Sequence, residues 1–170
     1  MPCLRNNALI PGNFMKLKEW LDEWSMTSLK VNLQFLEMEW NPNDVDKDAA
    51  WDMYIELITR VATQDLLPDD GDEATALTSI YALFDITREV IKRKGRHCQS
   101  FTKIAIIILN QKVRPFTAKW HKVSVGGQFS DDEVCQQFRT ELGQLQSVLR
   151  TYSRMLADMA DVEDLTELET

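Results

Sequence analysis

Ile104-Ala105-Ile106-Ile107-Ile108-Leu109 is the most apolar run of the chain, and its reading decides the fold. Such a run suits either a central strand or a helix buried nearly all round, and periodicity alone does not separate the two. Ser100 can cap a helix that begins at Phe101, so residues 101–114 read as helical. The whole chain then reads as mainly α, a compact bundle of about five helices packed around residues 101–114 and 131–160. One extended, strand-like segment is expected near 28–40, where Leu29, Val31, Leu33 and Phe35 alternate with polar residues, and Met38 and Trp40 resume the alternation after a slip at Leu36. If 104–109 were a strand, it would be the one run in the chain able to pair with that segment.

Towards the C-terminus, Ser130-Asp131-Asp132-Glu133 has the form of a capping box, and the longest helix runs from it to about Ala160. Phe138, Leu142, Leu145, Leu149, Tyr152, Leu156 and Met159 recur as a heptad seam. Val148 and Met155 broaden it, which favours the central helix of an intramolecular bundle over a coiled-coil dimer. Residues 161–170 read as an acidic tail, either frayed or docked by Val162, Leu165 and Leu168 alone.

Towards the N-terminus, Pro68-Asp69-Asp70-Gly71-Asp72 is a turn, and a helix is expected over 73–94, closed by Lys92, Arg93, Lys94 and Gly95. A further helix is expected from Val45 to Thr63 with Trp51, Tyr54, Ile55, Ile58, Val61 and Ala62 on its apolar face. Another runs from a cap at Asn13 to Ser25, burying Phe14, Leu17, Trp20, Leu21 and Trp24. Residues 1–12 read as irregular, and residues 1–170 as a single domain.

Several function classes drop out. Cys3, Cys98 and Cys135 have neither zinc-site nor disulfide-framework spacing, so no metal is expected. Asp44, Asp46 and Asp48 start like a calcium loop, but Ala49 stands where glycine is required and Ile55 where the bidentate glutamate belongs. There is no phosphate loop, dinucleotide fingerprint, nucleophile elbow or zinc-protease motif, and no cofactor is expected. No secretory leader or membrane span is legible, so a cytoplasmic protein is expected.

Charge is the unusual feature. The chain carries −8 overall, yet residues 88–122 hold ten of its nineteen Lys and Arg residues, both histidines and the single acid Glu89. That block is +9 and the remainder −17. Lys92 to Lys94 are explained as a helix ending. Arg96, His97, Lys103, Asn110, Lys119 and Lys122 are then the candidate residues for an anion or a nucleic acid. On a helix, Lys103, Asn110 and Arg114 share one side, which Thr117 and His121 continue if Pro115 bends the chain only mildly.

Arg114 and His121 would lie two turns apart, about 10 Å along the axis. An arginine to neutralise a phosphate and a histidine to move a proton make a workable pair for cleaving RNA through its 2′-hydroxyl. Arg114-Pro115-Phe116-Thr117-Ala118-Lys119-Trp120-His121 resembles the Arg-x4–6-His motif of the HEPN family. Its members are all-helical domains of similar size that include many dimeric prokaryotic ribonucleases. The resemblance covers eight residues and implies catalytic roles for Arg114 and His121.

The primary functional expectation is a non-catalytic interaction or regulatory protein of prokaryotic type. It would be homodimeric, with the 88–122 surface meeting an anionic or acidic partner. The second is a HEPN-like domain that cleaves or binds RNA.

Overall fold

The computed structural model describes residues 14–169, and these are mainly helical. Among the described residues seven α-helices occur in order: α1 (Leu17–Glu23), α2 (Leu33–Leu36), α3 (Asp44–Ile58), α4 (Glu73–Lys94), α5 (Gln99–Ile108), α6 (Arg114–Val125) and α7 (Asp132–Ala160). The isoleucine run is helical. It fills α5 and passes through a π-helical turn, Leu109–Val113, straight into α6. Pro115 is accommodated because it sits in the first turn of α6, where the wider turn before it relieves the ring's usual clash with a preceding carbonyl.

The centre of the fold is α7, which packs most extensively against α3, while α3 also meets α4 and α5. The whole heptad seam of α7, Phe138 to Met159, is buried against the chain's own helices. Its start differs from the expected capping box. Asp131 is the cap, accepting from the Glu133 amide at 2.9 Å, whereas the Ser130 hydroxyl donates to the Gly127 carbonyl in a short 3-10 turn. Along its flank, Gln146 donates to the Val61 and Gln64 carbonyls at 2.7 and 2.8 Å, and Arg150 to the Thr63 carbonyl at 3.0 Å. These bonds hold residues 59–64 as turns, so α3 stops at Ile58 and does not reach Thr63. The buried face of α3 runs through Ala49, Ala50, Met53, Tyr54 and Leu57, leaving Trp51 exposed.

The expected strand at 28–40 is not there. Among the described residues the only β pairing is an isolated antiparallel bridge between Lys16 and Glu39. The segment forms the single turn α2, capped by Asn32 through the Gln34 amide at 2.9 Å, a local bond that competes with extended structure. What a partner strand would have supplied comes from a side chain. The Gln111 amide accepts from Lys30 N at 2.8 Å and donates to Lys30 O at 2.7 Å. Trp40 stacks on Trp20 of α1, with ring centroids 4.3 Å apart. The α1 face is Leu17, Trp20 and Leu21, with Phe14 exposed; the proposed cap Asn13 and the irregular 1–12 segment lie outside the described residues. The acidic tail docks through Leu165, whose amide donates to the Tyr54 hydroxyl, while Leu168 is exposed. No helix among the described residues is long and apolar enough to cross a membrane.

Candidate anion-binding site

Helix α4 ends on Lys92, Arg93 and Lys94, and Gly95, at φ +80°, turns the chain back towards α5. The positive φ is why glycine stands there. The turn is braced from α3. Asn43 Nδ2 donates to the His97 carbonyl at 2.9 Å, and the buried Asp46 accepts from the Asn43 amide at 2.9 Å and from the Phe101 amide at 3.0 Å. Asp46 is thus one of the acids favoured in the first turn of α3, and it also caps the start of α5.

This brace sets the end of α4 against the beginning of α5 and opens a cleft of about 490 Å³ lined by Ile91, Lys92, Gly95, Arg96, Gln99, Thr102 and Lys103. Two residues singled out in the sequence, Arg96 and Lys103, therefore meet in one place. Lys92 joins them, although its position at the helix end explained it adequately without a site. Lys103 is positioned by α2 and the turn after it: its ammonium lies 5.6 Å from the centre of the Phe35 ring and 4.0 Å from Met38 Sδ. Such a contact orients the cation without neutralising it.

Neutralisation divides the basic block. Arg88 pairs with Asp85, Arg93 and Lys94 with Asp52 at 2.7 and 3.2 Å, and Lys119 with Glu141. Burial alone would raise the Glu141 carboxyl, but hydrogen bonds from Lys119, Gln137 and Trp120 hold it below its ordinary value. Lys119 is therefore part of a structural pair. Lys92, Arg96 and Lys103 have no carboxylate partner among the described residues, and Lys122 is exposed without one.

The polar stripe proposed along 103–121 splits at the π turn. Lys103, Gln111 and Lys112 face the 28–38 segment, the last through Ser28 Oγ at 3.1 Å. Asn110, Arg114 and His121 are exposed on the other side, while Thr117 is buried and bonded to the Val113 carbonyl. The Arg114 guanidinium donates twice to Asn110 Oδ1 at 3.1 Å and lies 4.9 Å from the centre of the Phe84 ring on α4. The His121 ring meets Tyr81 of α4 edge-on at 5.9 Å. Both residues sit on the one regular helix α6, each resting on an aromatic ring, and neither lines the cleft. His97 is fixed through its backbone and also stays outside the cleft.

No protein family, curated protein or solved structure matches this chain.

The site has to be understood from its own chemistry. Lys92, Arg96 and Lys103, without a carboxylate partner among the described residues, line with Gln99 a cleft whose exposed surface is mainly apolar, while the Thr102 hydroxyl is already bonded to the Cys98 carbonyl at 2.7 Å. That set can hold an anion by charge-assisted hydrogen bonds. Among the described residues, no group of His, Cys, Asp and Glu is arranged to hold a metal ion. A sequence signal for the missed residues exists in retrospect: Gln99 and Lys103 are an i, i+4 pair at the start of α5, while Lys92 and Arg96 flank Gly95.

Proposed function

We propose that this chain is a non-catalytic helical interaction module that takes an anionic partner in the cleft between α4 and α5. The observation that carries the reading is that Lys92, Arg96 and Lys103 line one cleft without a carboxylate partner among the described residues, in a chain of net charge −8. Acids are abundant here, so cations left unpaired in one place are available to an outside anion. Each exposed charge contact is worth about 0.5–1 kcal/mol, so losing all three should weaken binding roughly 10- to 150-fold. The test is fluorescence anisotropy at low salt with a labelled acidic peptide and a labelled single-stranded RNA. Wild type is compared with the Lys92→Gln/Arg96→Gln/Lys103→Gln variant. The reading expects at least one probe to bind and to be lost in the variant; binding of neither probe, or equal binding by both proteins, defeats it.

Self-association is a separate part of the proposal. The α7 seam is filled from within the chain, and the 28–40 segment offers no strand edge, so a homodimer would use another surface. Light scattering at increasing protein concentration reads it directly.

A second reading is supported by the exposure of Arg114 and His121 on one helix with no carboxylate holding either among the described residues. On this reading α6 presents an RNA-cleaving pair of the HEPN type. Wild type would cleave single-stranded RNA, and Arg114→Ala and His121→Ala would each lower the rate by about 10²- to 10⁴-fold. Absence of cleavage by the wild type, or equal rates in all three proteins, removes this reading.

A further inference from the structure

The neighbours of the cleft narrow its occupant. Lys103 leads directly to Phe35 of α2 and to Met38 just after it, which are 44% and 43% exposed. Ile106, one turn beyond Thr102 and Lys103 on α5, is 47% exposed. The cleft is therefore flanked by exposed apolar side chains, Phe35 and Met38 beside Lys103 and Ile106 one turn along α5. Exposed apolar side chains beside fixed charge are characteristic of a protein-binding surface.

A nucleic acid fits less well. Single strands are held by aromatic platforms for successive bases along a basic groove. Here the one aromatic ring among these side chains, Phe35, is already approached by the Lys103 ammonium, and its companions are a thioether and an aliphatic chain. A long polyanion would also run beyond the cleft onto a chain whose residues outside 88–122 carry −17. Repulsion at that surface acts within roughly 8–10 Å at ordinary salt, so a short acidic segment escapes most of it and a long strand does not.

The protein shows the same chemistry internally. In its tail, Leu165 packs against the core while Asp164 and Glu167 both reach Arg154, with Asp164 3.6 Å from Arg154 Nε. An acidic segment carrying an apolar side chain is thus already held on an arginine and an apolar surface within this fold.

Resting on the anion-binding reading above, we infer that the occupant of the α4–α5 cleft is a short acidic segment of a partner protein. Its carboxylates meet Lys92, Arg96 and Lys103, and its apolar side chains meet Phe35, Met38 and Ile106. Nothing covalent is involved. The complex is an electrostatic clamp with a hydrophobic anchor, so its affinity depends on both salt and the anchor.

The experiment uses three labelled probes of similar charge: a twelve-residue peptide repeating Glu-Asp-Leu, the same peptide with Ser for Leu, and a single-stranded RNA. Each is titrated by anisotropy into wild type, Phe35→Ser/Met38→Ser, Ile106→Ser and the triple cleft variant, with circular dichroism confirming that each variant is folded. The leucine peptide is expected to bind tightest. Loss of its leucines, or of either set of flanking apolar side chains, should weaken it about tenfold while leaving its salt dependence unchanged. Ile106→Ser stands in if the α2 double variant does not fold. If RNA binds tighter than the leucine peptide, or the serine peptide binds equally well, while the triple variant still abolishes binding, the identity of the occupant is wrong and the anion site stands. If the triple variant binds every probe as the wild type does, or no probe binds, both fall.

Discussion

The arginines of α7 and the cations around α4 and α5 are the same chemistry put to opposite uses. Arg139 pairs with Glu73 at 2.6 Å and donates to the Leu67 carbonyl at 2.8 Å. Arg150 reaches Asp65 and the Thr63 carbonyl, and Arg154 holds Asp164 and Glu167. Every α7 arginine ties a turn or the tail to the central helix. Lys92, Arg96 and Lys103 pair with no carboxylate among the described residues. In the first group an ion pair organises loops that have little apolar content of their own. In the second the cations are presented by a rigid turn whose bracing is done by other residues, Asn43 and Asp46. A paired cation is part of the fold, and an unpaired one held in a cleft is available to a partner.

The comparison can be broken by removing charge on each side. The largest effect is expected from Arg139→Met, which leaves the Glu73 carboxylate, 13% exposed, without its cation. A loss of about 2 kcal/mol is expected in chemical denaturation. A value near zero would mean that α7 does not need its arginines as ties. Next comes a polar group unpaired in the wrong place. The Tyr152 hydroxyl is buried on α7 with no hydrogen-bond partner among the described residues, and burial pushes its phenol up. Tyr152→Phe should therefore stabilise by about 1 kcal/mol, read as a rise in Tm. A fall would show that the hydroxyl has a partner.

The third prediction is a small effect. Replacing Lys92, Arg96 and Lys103 by Gln should cost no more than about 1 kcal/mol, because Lys92 complements the end of α4 and Lys103 lies over Phe35, but none pairs with a carboxylate among the described residues. Destabilisation of the size expected for Arg139→Met would erase the distinction between the two groups. The smallest effect concerns Glu141, whose carboxyl is held below its ordinary value in the folded protein. A lowered folded value means that its contribution is fully present above the unfolded carboxylate range, about 4.3, and is lost as pH falls through the folded value. Glu141→Gln should lower stability slightly near neutrality and flatten the acid limb of the profile, the two proteins converging at low pH. A difference that persists undiminished at low pH would contradict the assignment.

Legibility in the sequence divides in the same way between local and distant causes. Helix α4 was legible to both ends because a proline-aspartate turn, an apolar period and a terminal glycine all lie within it or beside it. The inward face of α7 was equally legible from its seam. The 28–40 segment was misread because alternation specifies a strand only when a partner exists. Here Gln111, 81 residues away, answers the backbone of Lys30 instead. The π turn that frees Gln111 and splits the stripe between Lys103 and Arg114 has no local signature. The site was half legible. Arg96 and Lys103 stood out as cations that the end of α4 did not explain, but Lys92 was accounted for by that helix end, and Lys119 had a partner 22 residues on, in Glu141. Which cations stay unpaired is decided by tertiary structure.

The most direct measurement is the affinity of the acidic leucine peptide for wild type and for the Lys92→Gln/Arg96→Gln/Lys103→Gln variant across a salt series. Wild-type affinity is expected to fall with salt, and the variant to bind at least about tenfold more weakly at low salt with little salt dependence left. Identical curves for the two folded proteins would contradict an anion-binding cleft between α4 and α5.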